Sequence, residues 1–288
     1  MSSREVLAAL GRADLARLGF RQEDAAACRD LIDGLAHDPQ RLARVTDLAE
    51  ILGARIGRFF DDDLPVRDAG GLAAFDEGLT TLLALVSIAE EVHAAYLRRG
   101  LPDEVAWASL ADLGQQVHIF RSVFGFFGLY AQTWCVANFT GRHLWLGRLQ
   151  FTLERADSGE VVVGIHIPES GPLLPVAVDA SLAWARDLVP RLYPEFTSTG
   201  FHLTSWLLDP LIVAGLAPDS NLARFAARFQ VIDDGEAGPH DALFFVFHRE
   251  LSLQPVDFSA LPRDSSLRRA VLAAPLERLS VPTGRLVD

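Results

Sequence analysis

From Ser3 to about Tyr130 apolar residues recur at spacings of three and four, the signature of helices that bury one face. In "GLTTLLALVSIAEEVHAAYL" the stripe is Leu79, Leu82, Val86, Ala89, Val92 and Tyr96, and "RLARVTDLAEILGARIG" carries the same pattern upstream. Val117, Phe120, Phe124 and Phe127 continue it as an aromatic stripe, which reads first as core packing and second as the wall of an acyl or cofactor pocket. A helical domain over residues 1–138 is expected.

Near "ANFTGRHLWLGRLQFTLE" the period shortens to two. Trp145, Gly147, Leu149, Phe151 and Leu153 fall on one face and Arg148, Gln150, Thr152 and Glu154 on the other, as in a half-buried strand. "RADSGE" has turn chemistry, so "VVVGIHIP" is expected to be the hairpin partner and a central strand. After "PESGPLL", Pro175 suits the first turn of a helix that buries Val178, Leu182, Ala185 and Val189.

"FHLTSWLL" is a strand candidate closed by Asp209-Pro210, and "DSNLARFAARF" a helix capped by Asp219 or Ser220. "FQVIDD" and "DALFFVFH" read as two strands joined by a Gly/Pro turn. The order from residue 142 is then β, β, α, β, α, β, β, within a second domain over 139–288. The segment "LPRDSSLRRAVLAA", capped at Asp264 or Ser265, predicts a short amphipathic helix folding back on that domain.

Composition narrows the chemistry. Of 288 residues half are hydrophobic, enough for a large core, and the formal net charge of -12 argues against a nucleic-acid partner. All 26 basic residues are arginine, which excludes lysine-dependent phosphate loops, kinase sites and Schiff-base chemistry. Cys28 and Cys135 stand alone, suggesting neither a disulfide framework nor a zinc site and fitting a reducing, cytoplasmic setting. No secretory leader pattern or membrane-length, charge-free apolar run is seen, so no membrane is expected. The histidines are scattered without HExxH-like spacing, so no metal is expected either.

The phrases "LGRLQF", "HIPESGPL", "DASLAWA", "SWLLDP", "DSNLARFAARF" and "LPRDSSLRRAVL" are similar to those of a bacterial acyltransferase-domain family, in which a helical N-terminal domain precedes a GNAT-like one. The resemblance implies an α+β chain: an all-helical domain, then a mixed β-sheet flanked by helices. It also implies N-acyl transfer from acyl-CoA, or from an acyl carrier protein, to a small-molecule or peptide amine, with coenzyme A as co-substrate. The loop after the central strand would hold the pyrophosphate through Ser170, Gly171, Leu173 and Leu174, at a helix N-terminus that favours anions. Asn221, opening a later helix, would touch the pantetheine or simply cap that helix.

Two departures from the GNAT pattern stand out. "PESGPLLP" lacks the Q/RxxGxG/A spacing, and Pro168, Pro172 and Pro175 remove amide donors. Phe225 and Phe229 lie where a thiolate-protonating Tyr is usual. The resemblance therefore also allows a GNAT-like ligand- or partner-binding protein without catalysis.

Acyl transfer to an amine needs a base, and His166 is the first candidate, alternating onto one face with Val162 and Gly164. The glycine would let a ligand or another backbone approach the ring. A free imidazole titrates near pH 6.5, suited to deprotonating an amine, but a buried histidine bonded to a carbonyl fits the same pattern. Glu169 is a loop carboxylate that would act through a water, or a solvated charge. Alternation places His202 and Ser205 on opposite faces, so they are not a nucleophilic dyad; singly, His202 is a second base and Ser205 a proton donor. Arg148 and Gln150 are substrate or phosphate ligands, or a solvated face.

Overall fold

The computed structural model describes residues 1–60, 63–68, 72–156, 158–250 and 256–287, and divides into two compact units, Met1–Trp145 and Leu146–Asp288. The first is helical: α1 (Ser3–Arg12), α2 (Gln22–Leu35), α3 (Pro39–Gly53), α4 (Leu72–Arg98), α5 (Asp103–Leu110), α6 (Asp112–Phe124) and α7 (Gln132–Asn138). Local chemistry sets the ends. Ser2 and Glu5 form a capping box on α1, Asp38 accepts from the Arg41 amide ahead of Pro39, and left-handed Gly125 ends α6.

Helix α4 is the spine, with Leu82, Leu83, Leu85 and Ile88 fully buried around its girth and α1, α3, α5 and α7 against it. Its Phe75–Arg98 stretch is long and apolar enough to cross a membrane, but 72% of that apolar window is buried inside the protein, as in a core helix. The aromatic stripe of α6 also packs inward: the Phe120 ring lies 5.5 Å from Phe75 and 4.5 Å from Phe124.

The second unit carries most of a six-stranded sheet ordered β1-β2-β3-β4-β6-β5, from β1 (His143–Leu146), β2 (Leu149–Arg155), β3 (Val161–His166), β4 (Phe201–Thr204), β5 (Phe229–Asp233) and β6 (Thr283–Leu286). β3 and β4 are parallel, while β2–β3, β4–β6 and β5–β6 are antiparallel. Between the parallel strands runs α8 (Pro175–Leu192), with Pro175 in its first turn and Val178, Leu182, Ala185 and Val189 buried, as the spacing predicts. It packs on β2. Of the turn "RADSGE", Asp157 lies outside the described residues; Gly159 (φ 85°) and the Ala156 amide bonded to Glu160 O close it.

Several expectations are corrected. The segment read as one strand is two, broken by left-handed Gly147 (φ 69°), and this puts Arg148 in the turn. β2 is not half-buried: Gln150, read as a substrate ligand or part of a solvated face, and Thr152 beside it are 3% and 1% exposed, so the solvated face does not hold. "FHLTSWLL" leaves the sheet after Thr204, where Ser205 caps a 3₁₀ turn that buries Trp206. "DALFFVFH" is a helix, α11 (His240–Phe247), following α9 (Pro210–Ala214) and α10 (Asn221–Ala226). Its Ala242, Leu243, Phe244 and Phe247 bury one helical side, and an apolar run of that length fits either period.

The strand that pairs with β5 is instead β6, a short Thr-Gly-Arg-Leu segment too polar to announce itself. α12 (Ser266–Ala273), capped by Ser265, does fold back on this unit, burying Val271 with Ile212, Leu243 and Phe247. Buried Asp209 ties α9 to the β6 approach, accepting from the Leu211 and Ile212 amides and from Ser280.

Candidate active site

The β2–β3 register opposes Gln150 to His166, Thr152 to Gly164 and Glu154 to Val162, so these side chains share one face. The face runs on through His202, opposite Gly164, and then through Arg285, opposite both His202 and Gln230. Phe151, Leu153, Val163, Ile165 and Leu203 form the buried apolar side. One polar face therefore crosses five strands.

On it, His166 Nε2 lies 2.8 Å from Thr152 Oγ1 and 2.9 Å from Glu154 Oε1, and the Thr152 hydroxyl donates to that same carboxylate oxygen. An ionised carboxylate only accepts, so at this contact Nε2 is the donor. Glu154 thus orients the ring and stands ready to stabilise an imidazolium. His166 and Glu154 side chains are 29% and 34% exposed, sheltered but reachable.

Gly164 has a different purpose from the one its sequence position suggests. A Cβ there would fall 2.6 Å from Glu154 Oε2, so what the glycine admits beside the imidazole is the Glu154 carboxylate. The parallel pairing also ends at Gly164 and His202, although β3 continues to His166 and β4 to Thr204. The two strands cease to ladder beside the histidine.

The loop after β3 is built on Arg148. Its guanidinium donates to the carbonyls of Pro168 (3.0 Å), Gly171 (2.6 Å) and Pro172 (3.1 Å) and to Ser170 Oγ (3.4 Å). The Ser170 amide is spent on Pro168 O at 2.8 Å. Among the described residues, the amides of Gly171, Leu173, Leu174 and Val176 make no hydrogen bond within the protein, and they sit at the N-terminus of α8. Of the predicted loop ligands, Gly171, Leu173 and Leu174 thus keep their donors, and Ser170 keeps a hydroxyl.

The remaining candidates are dispersed. Glu169 points its carboxylate to His248, 3.5 Å from Nε2. No hydrogen bond joins His202 to Ser205, whose Oγ accepts from the Leu207 amide. Burial, and then the Arg285 charge, push the His202 pKa below the ordinary imidazole value, with Glu154 and Glu160 opposing. Asn221 is not the cap of its helix: Ser220 takes that role, and the Asn221 amide side chain stays uncommitted among the described residues. Phe225 and Phe229 are buried against each other, ring centres 5.2 Å apart.

Glu154 and Thr152 were missed from sequence because they fall on the strand's polar face; the signal that could have found them is the hairpin register opposite Gly164. Among the described residues no group of three or more His, Cys, Asp or Glu is gathered as for a metal ion.

Residues 144–281 match the GNAT-like C-terminal domain family, and residues 12–141 the N-acyltransferase N-terminal domain family. The chain belongs to the family that joins these two domains. Solved acyltransferases share its fold. One in complex with CoA and 10C-teicoplanin is 28% identical with a TM-score of 0.79, the match covering 94% of this chain and 85% of that one. Another, with decanoyl-CoA and teicoplanin, gives 28% and 0.79 over 95% and 86%. A third, with decanoyl-CoA, gives 27% and 0.81 over 94% and 85%. No curated protein matches the sequence significantly. In this GNAT-like acyltransferase the hairpin thus brings together a histidine, a carboxylate and a hydroxyl, and the following loop presents free amides at a helix start.

Proposed function

We propose that this acyltransferase moves an acyl group from acyl-CoA to an amine, with His166 as base and the 168–176 loop holding the diphosphate. The observation that carries the reading is the bonded His166, Glu154 and Thr152 group at the end of a strand whose next loop opens α8 with free amides. The amides of Gly171, Leu173, Leu174 and Val176, with the α8 dipole, suit a diphosphate.

The amine nitrogen attacks the thioester carbonyl carbon, a C–N bond forms and the C–S bond breaks. The proton lost by the amine goes to the His166 imidazole while Glu154 offsets the imidazolium charge. The departing thiolate takes a proton from that imidazolium, with Ser205 able to hydrogen-bond the sulfur, and leaves as free CoA. His202, held neutral by burial and Arg285, is a second polar contact for the acceptor, and Asn221 one for the pantetheine. The prolines of the loop remove the amides of residues 168, 172 and 175 but leave this set intact.

The acceptor is an amine by this reading, and solved relatives in complex with teicoplanin make that compound the first to try. A carrier-protein phosphopantetheine is the alternative donor, and a reducing cytoplasm the expected setting. Mass spectrometry of decanoyl-CoA incubated with teicoplanin and a panel of amines should show N-acylated product and free CoA. Buried Phe225 and Phe229 in place of a thiolate acid favour the rival reading of a GNAT-like binding protein, which CoA binding without any turnover would support. Titration calorimetry showing no heat with short or long acyl-CoA would sink donor use altogether.

A further inference from the structure

Arg148 has no role in the transfer as written, yet it is the most heavily bonded side chain around the donor loop. Its backbone is anchored as well. The Arg148 amide donates to Ser181 Oγ at 2.8 Å, and Ser181 donates to Ala177 O at 3.0 Å, so the β1–β2 turn is docked on the second turn of α8. The side chain then reaches past the helix start to grip the loop that precedes it. The guanidinium plane, unlike a flexible ammonium, offers several donors in one fixed fork.

In a trans peptide the carbonyl of one residue and the N–H of the next point in opposite directions. By drawing in the Pro172 carbonyl, Arg148 therefore turns the Leu173 amide, one of the four free donors, away from itself, and its bond to Pro168 O fixes the start of the loop. It holds the Gly171 carbonyl too, in a residue whose φ of 120° needs glycine. Its partners are neutral: among the described residues no carboxylate pairs with it, and burial without such a partner lowers its pKa. In a chain of net charge -12 without lysine, that leaves a localised positive charge under the loop.

We propose that Arg148 is the positioning residue of the donor loop: it fixes the loop's course so that the Leu173 amide and its free neighbours meet the diphosphate, and supplies the positive charge beneath it. This rests on the reading of residues 168–176 as the diphosphate site. The role concerns the diphosphate alone, so it separates two donors: acyl-CoA, which carries one, and the corresponding acyl-pantetheine, which does not.

The test is steady-state kinetics of the full chain with both donors, alongside calorimetry with CoA. Arg148→Ala should raise KM for acyl-CoA about 10- to 100-fold with little change in kcat, while kcat/KM for acyl-pantetheine stays within about twofold of wild type. Arg148→Lys keeps the charge but not the fork, and should still raise KM for acyl-CoA several-fold. Equal losses with both donors would mean a merely structural role and overturn the proposal, as would a wild-type KM in Arg148→Lys. Should Arg148→Ala melt early, Arg148→Lys carries the same comparison. Wild-type protein that neither binds CoA nor turns over acyl-CoA overturns the underlying reading and this one with it. Intact CoA binding in both variants overturns this one alone.

Discussion

On β2 and β3, Thr152, Glu154 and His166 bond one another at the sheltered end of the polar face. On β5 and β6 of the same sheet, Gln230 and Arg285 meet at 3.4 Å, both exposed, and the register slips between Val231 and Asp233. The same alternation of apolar and polar residues thus yields a preorganised group on interior strands and a solvated surface at the β5 edge. What separates them is cross-strand placement: a carboxylate two residues from a threonine matters only because a glycine lies opposite and a histidine beside them. Hydrogen bonds among partly buried, charged partners hold geometry, whereas exposed ones exchange with water at little cost.

Removing His166 is the severest way to break that comparison. His166→Ala should lower kcat by about 10²- to 10⁴-fold, the usual contribution of a positioned base, with a melting temperature close to wild type. Gln230→Ala at the β5 edge should leave kcat within about twofold. Next comes Gly164→Ala, whose methyl group collides with the end of the flexible Glu154 side chain; it should displace the carboxylate from His166, so activity falls while the denaturant midpoint moves little. Glu154→Gln keeps the shape but not the charge, and should lower kcat about 10- to 100-fold while KM for the donor holds. A wild-type rate in Glu154→Gln would reduce Glu154 to a structural partner.

The smallest effect lies between the two regions, at His202. Its folded pKa is depressed, so the unfolded chain takes up the proton first: stability is flat above about pH 6.5 and falls as pH drops below it. His202→Gln should flatten that acid slope, read as melting temperature between pH 7 and 5. Arg285→Gln should move the His202 titration, followed by NMR, upward but not all the way to the ordinary imidazole value, burial being the larger cause.

Elements whose periodicity is tied to a terminator were legible in the sequence: α8 behind Pro175, α10 behind Ser220, α12 behind Ser265, and the β2–β3 hairpin itself. Where only apolarity spoke, the reading failed. "DALFFVFH" has no terminator to choose between periods, and left-handed His248, which ends the helix, carries no glycine signal. β6 escaped because a strand of Thr, Gly, Arg and Leu is stabilised by its neighbours rather than by its own propensity. Of the site, His166 and Gly164 were visible as residues worth explaining, but their partner Glu154 was not, since polar strand faces usually meet water.

The collision at Gly164 also constrains the sequence. Any side chain at 164 competes for the space that the Glu154 carboxylate fills, so a chain with a larger residue at 164 keeps its acid at 154 only by swinging it away from the histidine. A glycine at 164 together with an acid at 154 is then what a sequence needs to hold a carboxylate against this histidine.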